Sequence, residues 1–153
     1  MKIYVKNLGG RLPRKIDKGD WIDLRATRGS NSFHTSELMV PLGIAAKLPA
    51  GYEAIIAPRS STYKQFGLIS QNSVGIIDNS YHGDGDQWHF PAIWFNTNRG
   101  WKAGDRICQF RVQLSQKATV WQKLRWLFDG KVEIIEVDSL GNADRGGFGS
   151  TGK

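Results

Sequence analysis

Short apolar segments, separated by glycine, proline, asparagine and aspartate, recur along this chain and restrict the folds it can adopt. In Ile107–Leu114 the apolar Cys108 and Phe110 alternate with the polar Gln109 and Arg111. A period of two is typical of a strand with one buried face. Many short strands with frequent turns favour a sandwich, a jelly roll or a barrel over a βαβ fold. The same pattern predicts further strands at Tyr52–Ala57, Val74–Ile77, Phe90–Asn96 and Val132–Val137.

Charge gives a first indication of function. The 153 residues carry a formal net charge of +7, and a basic surface attracts nucleic acids and small polyphosphates. The charge alone is equally consistent with a role in solubility only. The single cysteine, Cys108, cannot form an internal disulfide and fits a reducing cytosol. No stretch approaches the ~18 apolar residues of a membrane span.

One segment has helical periodicity. From Val120 to Phe128 the apolar residues recur every three or four positions, which predicts an amphipathic helix of about two turns that stops at Asp129-Gly130. Apolar stripes usually face a core, so inward packing is the favoured interpretation. Two tryptophans in so short a stretch also fit a docking surface for a partner.

Two loops carry groups suited to phosphate chemistry. Pro58–Ser61 follows a predicted strand and combines a guanidinium with hydroxyls and amides, as a phosphate cradle does, although a serine-rich turn has the same composition. Asp78 follows the strand Val74–Ile77, with Tyr81 three residues later. A carboxylate there can act as a general base, and it is also a common turn former.

The glycine-rich tail from Gly141 to Lys153 has two interpretations. It can be a disordered terminus, as such tails usually are. Alternatively, its backbone N–H groups can wrap phosphate oxygens together with Arg145, while Phe148, which has no core to join, covers a nucleobase.

Taken in order, five segments resemble the five motifs of the trimeric dUTP pyrophosphatase (dUTPase) family, of the kind found in Gram-positive bacteria and their phages. Each motif is short, but together they span nearly the whole chain in the order of the family. They are Gly19–Ala26, Pro58–Ser61, Asn72–Asp84, Gly104–Gln109 and Arg145–Gly152.

The resemblance implies a fold and an activity. The expected fold is an all-β, jelly-roll-like distorted barrel, with one domain over residues 1–153, one short helix and a flexible tail, 141–153, that serves as an active-site lid. The expected enzyme is a homotrimer whose active sites combine motifs from all three chains. It would hydrolyse dUTP to dUMP and pyrophosphate with Mg²⁺, and so lower dUTP and supply dUMP for thymidylate synthesis. Its location would be the cytoplasm of a bacterial cell or a phage-infected host.

The resemblance also implies residue roles. Asp78 would activate the water that attacks the α-phosphorus, and Asp23 would help hold Mg²⁺ through its bound waters. Tyr81 would pack against the deoxyribose. Arg59 and Arg106 would mainly brace the site. The other expected substrate-binding residues are Ser60 and Gln109 on the phosphates, Asn72, Gly75 and Ile77 around uracil, Arg145 and Phe148 in the tail, and Ser61.

The chain departs from the family in three places. Ser61 stands where the second motif usually has glycine. Only two residues separate Arg145 from Phe148, where the family usually has four, and in such variants a second aromatic, here Trp88 or Phe90, would share the stacking. The helical segment at about 118–131 looks like an insertion, for which we hypothesise a role at a partner interface or the trimer surface.

Two other functions are alternatives to dUTP hydrolysis. The related dCTP deaminases carry a glutamate where this chain has Ile93, and an apolar side chain cannot shuttle protons, so deamination is disfavoured. A regulator that binds dUTP and acts by protein contact is the second alternative, with or without catalysis.

Overall fold

The computed structural model describes residues 1–15, 19–128 and 131–147. This part of the chain is mostly β, as predicted, and contains two α-helices, of which α1 was not predicted. The strands are β1 (Lys2–Asn7), β2 (Ile22–Arg25), β3 (Glu37–Pro41), β4 (Ile44–Lys47), β5 (Tyr52–Pro58), β6 (Leu68–Ser70), β7 (Gly75–Ile77), β8 (His89–Trp94), β9 (Arg106–Leu114) and β10 (Glu133–Val137). The helices are α1 (Thr62–Phe66), α2 (Val120–Phe128) and a 3₁₀ turn at Ser30–Ser32.

The strands form three sheets, with the orders β10-β1-β4, β2-β9-β5-β7 and β3-β8-β6. Within the described ranges these sheets do not close into a barrel, which is consistent with a distorted jelly roll. The four-stranded sheet carries most of the predicted site, because β2, β5, β7 and β9 lead into or contain four of the five motifs.

All five strands predicted from the apolar pattern are present, with boundaries shifted by one or two residues. In β9, Cys108 and Phe110 are buried and Arg111 is exposed, as the alternation predicts. Burial raises the pKa of the Cys108 thiol well above its ordinary value, which agrees with a neutral core residue.

Trp88 and Phe90 lie in the core, where the rings of Trp88 and Phe110 meet edge to face at 5.3 Å. Neither Trp88 nor Phe90 presents a surface to a nucleotide, so the alternative stacking role suggested for them is wrong.

Helix α2 has the predicted bounds but the opposite orientation; its predicted stop at 129–130 lies outside the described residues. The apolar residues face solvent, and Trp121 is 80% exposed. The helix rests on Trp126, whose ring lies 5.5 Å from that of Tyr52, and on Gln122, which lies directly over Gly51. Inward packing of the apolar stripe is therefore wrong. No helix in the described part of the chain is long and apolar enough to cross a membrane.

Candidate active site

Six of the predicted site residues line one cavity of about 290 Å³. The cavity lies between the loop that joins β6 to β7, strand β7 itself, the turn after β7, and the tail. Its volume is near the lower limit for small-molecule sites, which suits a nucleoside better than a whole nucleotide. The predicted residues in its lining are Asn72, Gly75, Ile77, Asp78, Tyr81 and Arg145.

The loop between β6 and β7 has an unusual backbone. Ser73 adopts φ 59°, in the left-handed region that non-glycine residues rarely occupy. The Val74 N–H donates to the Asn72 carbonyl at 2.5 Å, so the loop is tight. Strained backbone of this kind concentrates at ligand sites, and both Asn72 and Val74 line the cavity.

Asp78 stands at the end of β7 with 59% of its side chain exposed. One of its oxygens accepts from the Arg145 guanidinium at 3.0 Å. The turn that presents it is held by Asn79, whose amide donates to the Leu48 and Pro49 carbonyls, each at 2.8 Å. The carboxylate is therefore fixed by its backbone and remains open to solvent. Sequence reasoning missed Asn79, although its place beside Asp78 was a usable signal.

Tyr81 closes one side of the cavity. Its hydroxyl donates to the Gln87 carbonyl at 2.9 Å. Burial, with smaller effects from Asp86 and Asp144, raises the pKa of Tyr81, so the phenol stays neutral. Gly147 lies against the ring, where an added Cβ would come within 3.1 Å of a ring carbon.

His89 also lines the cavity and was not predicted. Its Nδ1 lies 2.9 Å from the Gln87 carbonyl, which can only accept, so Nδ1 carries the proton. Burial lowers the pKa of His89 and favours the neutral ring. The sequence offered a signal for His89, because it lies between Trp88 and Phe90, the two aromatic residues suggested for stacking on the base.

A second cluster forms around Asp23 on β2. The carboxylate is only 9% exposed, and both its oxygens are bound, one by Arg59 Nε at 2.7 Å and the other by Arg106 Nη1 at 3.0 Å. The β2–β9 register places Asp23 opposite Gln109, whose amide donates to the Pro58 carbonyl at 3.3 Å. The first, second and fourth motifs therefore meet at one place.

Thr62 locks the second motif to β9 and was not predicted. Its buried hydroxyl accepts from the Arg59 N–H at 2.9 Å and donates to the Ile107 carbonyl at 2.8 Å. Between Arg59 and Thr62, Ser60 is exposed, and the Ser61 hydroxyl donates to Gln65 Oε1 at 3.3 Å. The loop thus presents its hydroxyls from a fixed backbone.

The cluster is strongly positive. Burial, followed by repulsion from Arg106 and Arg11, lowers the pKa of Arg25. Two cavities of about 660 and 390 Å³ border the cluster and have Arg25 and Arg106 in common. Such a site is suited to binding phosphate.

The structure therefore divides the predicted residues into two groups. In residues 1–15, 19–128 and 131–147, the cavities beside Asp23 share no lining residue with the cavity beside Asp78. Phe148 lies outside the described residues, so its predicted stacking role stays a prediction.

The described side chains contain no group of three His, Cys, Asp or Glu residues that would hold a metal ion directly. Both oxygens of Asp23 already accept from arginines. Each oxygen retains a second lone pair, so a hydrogen bond from a metal-bound water does fit Asp23.

An exposed carboxylate beside a nucleoside-sized cavity, together with a separate arginine cluster, is suited to nucleotide binding and phosphoanhydride hydrolysis. The dUTPase family model matches residues 20–123, and the chain belongs to the dUTPase family. It is 49% identical over 154 residues to the SPbeta prophage-derived deoxyuridine 5'-triphosphate nucleotidohydrolase YosS of Bacillus subtilis strain 168, covering 99% of each chain.

Solved structures show the same fold. The dUTPase of Staphylococcus bacteriophage 80alpha aligns with a TM-score of 0.62 and 16% identity, covering 77% of this chain and 93% of that chain. It comes from a study of phage dUTPases that control transfer of virulence genes. A mutant dUTPase of Staphylococcus aureus phage phi11 aligns with a TM-score of 0.62 and 14% identity over 77% and 94% of the chains, and that work describes a structural Mg(II) ion.

Proposed function

We propose that this chain hydrolyses dUTP to dUMP and pyrophosphate, with Asp78 as the general base. The observation that carries the proposal is the exposed carboxylate of Asp78 at a cavity that also contains Asn72 and Tyr81. Membership of the dUTPase family and the 49% identity to a nucleotidohydrolase support the choice of substrate. The product dUMP would supply thymidylate synthesis.

The cavity would hold the nucleoside part of the substrate. The backbone of Gly75 and Ile77 and the Asn72 amide would form hydrogen bonds with the edge of uracil. A different base would leave some of these protein groups without a partner, and this would disfavour its binding. The Tyr81 ring would lie against the deoxyribose and leave no room for a 2′-hydroxyl. The phosphates would then extend past Asp78 and out of the cavity.

Asp78 would accept a proton from a water molecule held between its carboxylate and the α-phosphorus. The water oxygen forms a bond to the α-phosphorus, and the bond to the oxygen bridging the α- and β-phosphates breaks. Pyrophosphate leaves with that electron pair. Arg145, bound to one Asp78 oxygen, would orient the carboxylate and then move to a phosphate.

The Asp23 cluster would hold the phosphates. Ser60, Ser61 and Gln109 would donate hydrogen bonds to them, while Arg59 and Arg106 keep the loop in place through Asp23. Mg²⁺ bound to the phosphate chain would neutralise part of its charge. Asp23 would accept hydrogen bonds from the waters of that ion.

We further propose that the enzyme is a homotrimer whose sites form between chains. The separation of the Asp23 cavities from the Asp78 cavity in one chain supports this arrangement, because a triphosphate must reach both groups. In this proposal residues 1–153 form one domain, and the tail 141–153 closes over the nucleotide with Phe148 on uracil.

The proposal is tested by pyrophosphate release from each deoxynucleoside triphosphate with Mg²⁺, for the wild type and Asp78→Asn. We expect release from dUTP alone and a loss of about 10²- to 10⁴-fold in the variant. Ammonia from dCTP with no release from dUTP would instead establish a deaminase. The structure gives that outcome little support, because Ile93 and the opposing Glu37 are exposed on the β3–β8 pair and neither lines the cavity.

A second role as a regulator is supported by the α2 patch, which we define as the exposed apolar residues of α2. It lies at the end of the family match, in the segment 118–131 that we propose to be an insertion. Trp121→Ser with Phe128→Ser should leave the fold intact and change the mass of the assembly or its binding to a partner. If assembly, kinetics and partner pull-downs are all unchanged, the role is wrong. The patch comprises Val120, Trp121, Leu124, Leu127 and Phe128.

A further inference from the structure

The short loop Gly83–Gln87, which we call the anchoring loop, binds the tail through a buried carboxylate. Asp86 is only 2% exposed and accepts three backbone N–H groups. Its Oδ2 accepts from Gly83 at 2.8 Å and from Arg145 at 2.9 Å, and its Oδ1 accepts from Gly146 at 3.0 Å. Two of the three donors thus belong to the tail.

A second hydrogen bond between a carboxylate and a backbone N–H joins the tail to the loop, this time with the carboxylate on the tail. Asp144 Oδ1 accepts from the Gly85 N–H at 2.6 Å. A Cβ added at Gly83 would lie 2.4 Å from the Asp144 Cα, and one added at Gly85 would lie 2.4 Å from an Asp144 oxygen. At Gly83 only glycine lets the tail backbone lie directly on the loop, whereas the group nearest Gly85 is a side-chain carboxylate.

Burial acts to raise the pKa of Asp86, but its three backbone hydrogen bonds outweigh burial and hold the pKa below its ordinary value. Asp86 is therefore a carboxylate at neutral pH and can accept from all three N–H groups.

We propose that Asp86 is a positioning residue, which fixes the tail backbone so that Arg145 stands at Asp78 and Gly146 and Gly147 form a wall of the nucleoside cavity. This inference rests on the proposed function and assigns a role to a residue that lies outside the five motifs.

The geometry connects the anchor to the site within one or two residues. The Arg145 N–H is held by Asp86, while its guanidinium reaches Asp78 Oδ2 at 3.0 Å. The next N–H, at Gly146, is also held, and Gly147 then lies on the Tyr81 ring. Ordering these residues before substrate arrives removes part of the entropy cost of closing the site.

Three variants test the role. Asp86→Asn keeps the size of the side chain, but its NH₂ group must face an N–H donor, so at least one hydrogen bond is lost. Gly83→Ala should displace the tail while the Asp86 carboxylate itself is unchanged. This variant replaces Asp86→Asn in the test if Asp86→Asn does not fold. Asp84→Asn is the matched control, because Asp84 lies in the same loop but binds the Leu140 N–H, Ser139 and Lys6 instead.

The readouts are hydrogen exchange of the tail peptide containing Arg145 and Gly146, measured without nucleotide, and steady-state kinetics with dUTP. For Asp86→Asn and Gly83→Ala we expect exchange about tenfold faster and KM about tenfold higher, with a smaller change in kcat. For Asp84→Asn we expect faster exchange at residues 139–140 and a KM within about twofold of wild type.

Unchanged tail exchange in Asp86→Asn would overturn the inference, since the anchor would then not hold the tail. An equal rise in KM for the Asp84→Asn control would also overturn it, because loss of any bond in this loop would then have the same effect. If the wild type does not hydrolyse dUTP, the proposed function fails, and the exchange result still decides whether Asp86 anchors the tail.

Discussion

Asp78 and Asp23 are both aspartates paired with arginine at 3.0 Å or less, yet their surroundings differ. Asp78 is 59% exposed and has one arginine partner, at one oxygen. Asp23 is 9% exposed and has an arginine at each oxygen. Residue type and charge are the same, so the difference lies in how many partners the fold supplies.

The difference in exposure and pairing fits the opposite roles that we propose for the two carboxylates. An exposed ion pair contributes little to stability, so the Asp78 carboxylate can take part in a reaction without a large cost to the fold. A nearly buried carboxylate with two guanidinium partners is costly to disturb, so Asp23 acts as a brace for Arg59 and Arg106. The cavity beside Asp78 suits a nucleoside, whereas the surroundings of Asp23 suit phosphate.

If a second chain brings the two groups together, mixing defective chains should restore activity. We would co-express Asp78→Asn with Ser60→Glu, in which a new carboxylate on an exposed position repels phosphate. When a site takes the two residues from different chains, about one quarter of the sites in random mixed trimers contain neither defect. Activity should then rise to about a quarter of wild type, far above either parent.

The control for mixing replaces Ser60→Glu by the double variant Ser60→Glu/Asp78→Asn. No site then has Asp78, and activity should stay at the level of the parents. Failure of the first mixture, with both variants folded and the trimer confirmed by mass, would mean that one chain supplies both residues.

A smaller effect is expected on stability. Asp23→Asn should lower the free energy of unfolding by about 3 kcal/mol, near the lower limit for breaking a buried pair, because Arg106 remains 43% exposed. Asp78→Asn should change it by less than about 0.5 kcal/mol. Urea unfolding of both variants measures the difference. Equal decreases in the free energy of unfolding would mean that Asp23 and Asp78 do not differ in their contribution to stability.

The fold was predictable where the pattern was local. Alternation in Ile107–Leu114 was enough to place β9 and the buried Cys108, and the spacing in Val120–Phe128 gave the bounds of α2. The orientation of α2 was not predictable, because periodicity identifies an apolar face but not what covers it. Here Trp126 and Gln122, outside that face, make the contacts.

The site was predictable as a set of motifs from different chains, but which residues border the same cavity was not predictable. The resemblance named Asp78 and Asp23 without showing that they lie at separate cavities. Thr62 and Asp86 were missed because their partners lie 45 and 59 residues away, at Ile107 and Arg145. A hydrogen bond between a side chain and a backbone group so far along the chain leaves no periodic or compositional signal.

Asp86 extends the comparison to a third aspartate, whose hydrogen bonds come from backbone N–H groups rather than guanidinium. Its pKa is lowered in the folded chain, so its contribution to stability is present above the unfolded pKa, about 3.9, and is lost as pH falls through the folded value. The gap in unfolding free energy between wild type and Asp86→Asn, about 2 kcal/mol at pH 7, should stay constant down to about pH 5.

Below about pH 4 the gap should narrow, because the unfolded wild-type chain takes up a proton at Asp86 that the folded chain accepts only at lower pH, while the asparagine does not titrate. Urea unfolding of both proteins at pH 7, 5 and about 3 measures it. A gap that is the same at all three values would mean that the charge of Asp86 does not stabilise the folded chain. The loss in Asp86→Asn would then come from the amide NH₂ that faces an N–H donor, and not from the missing charge.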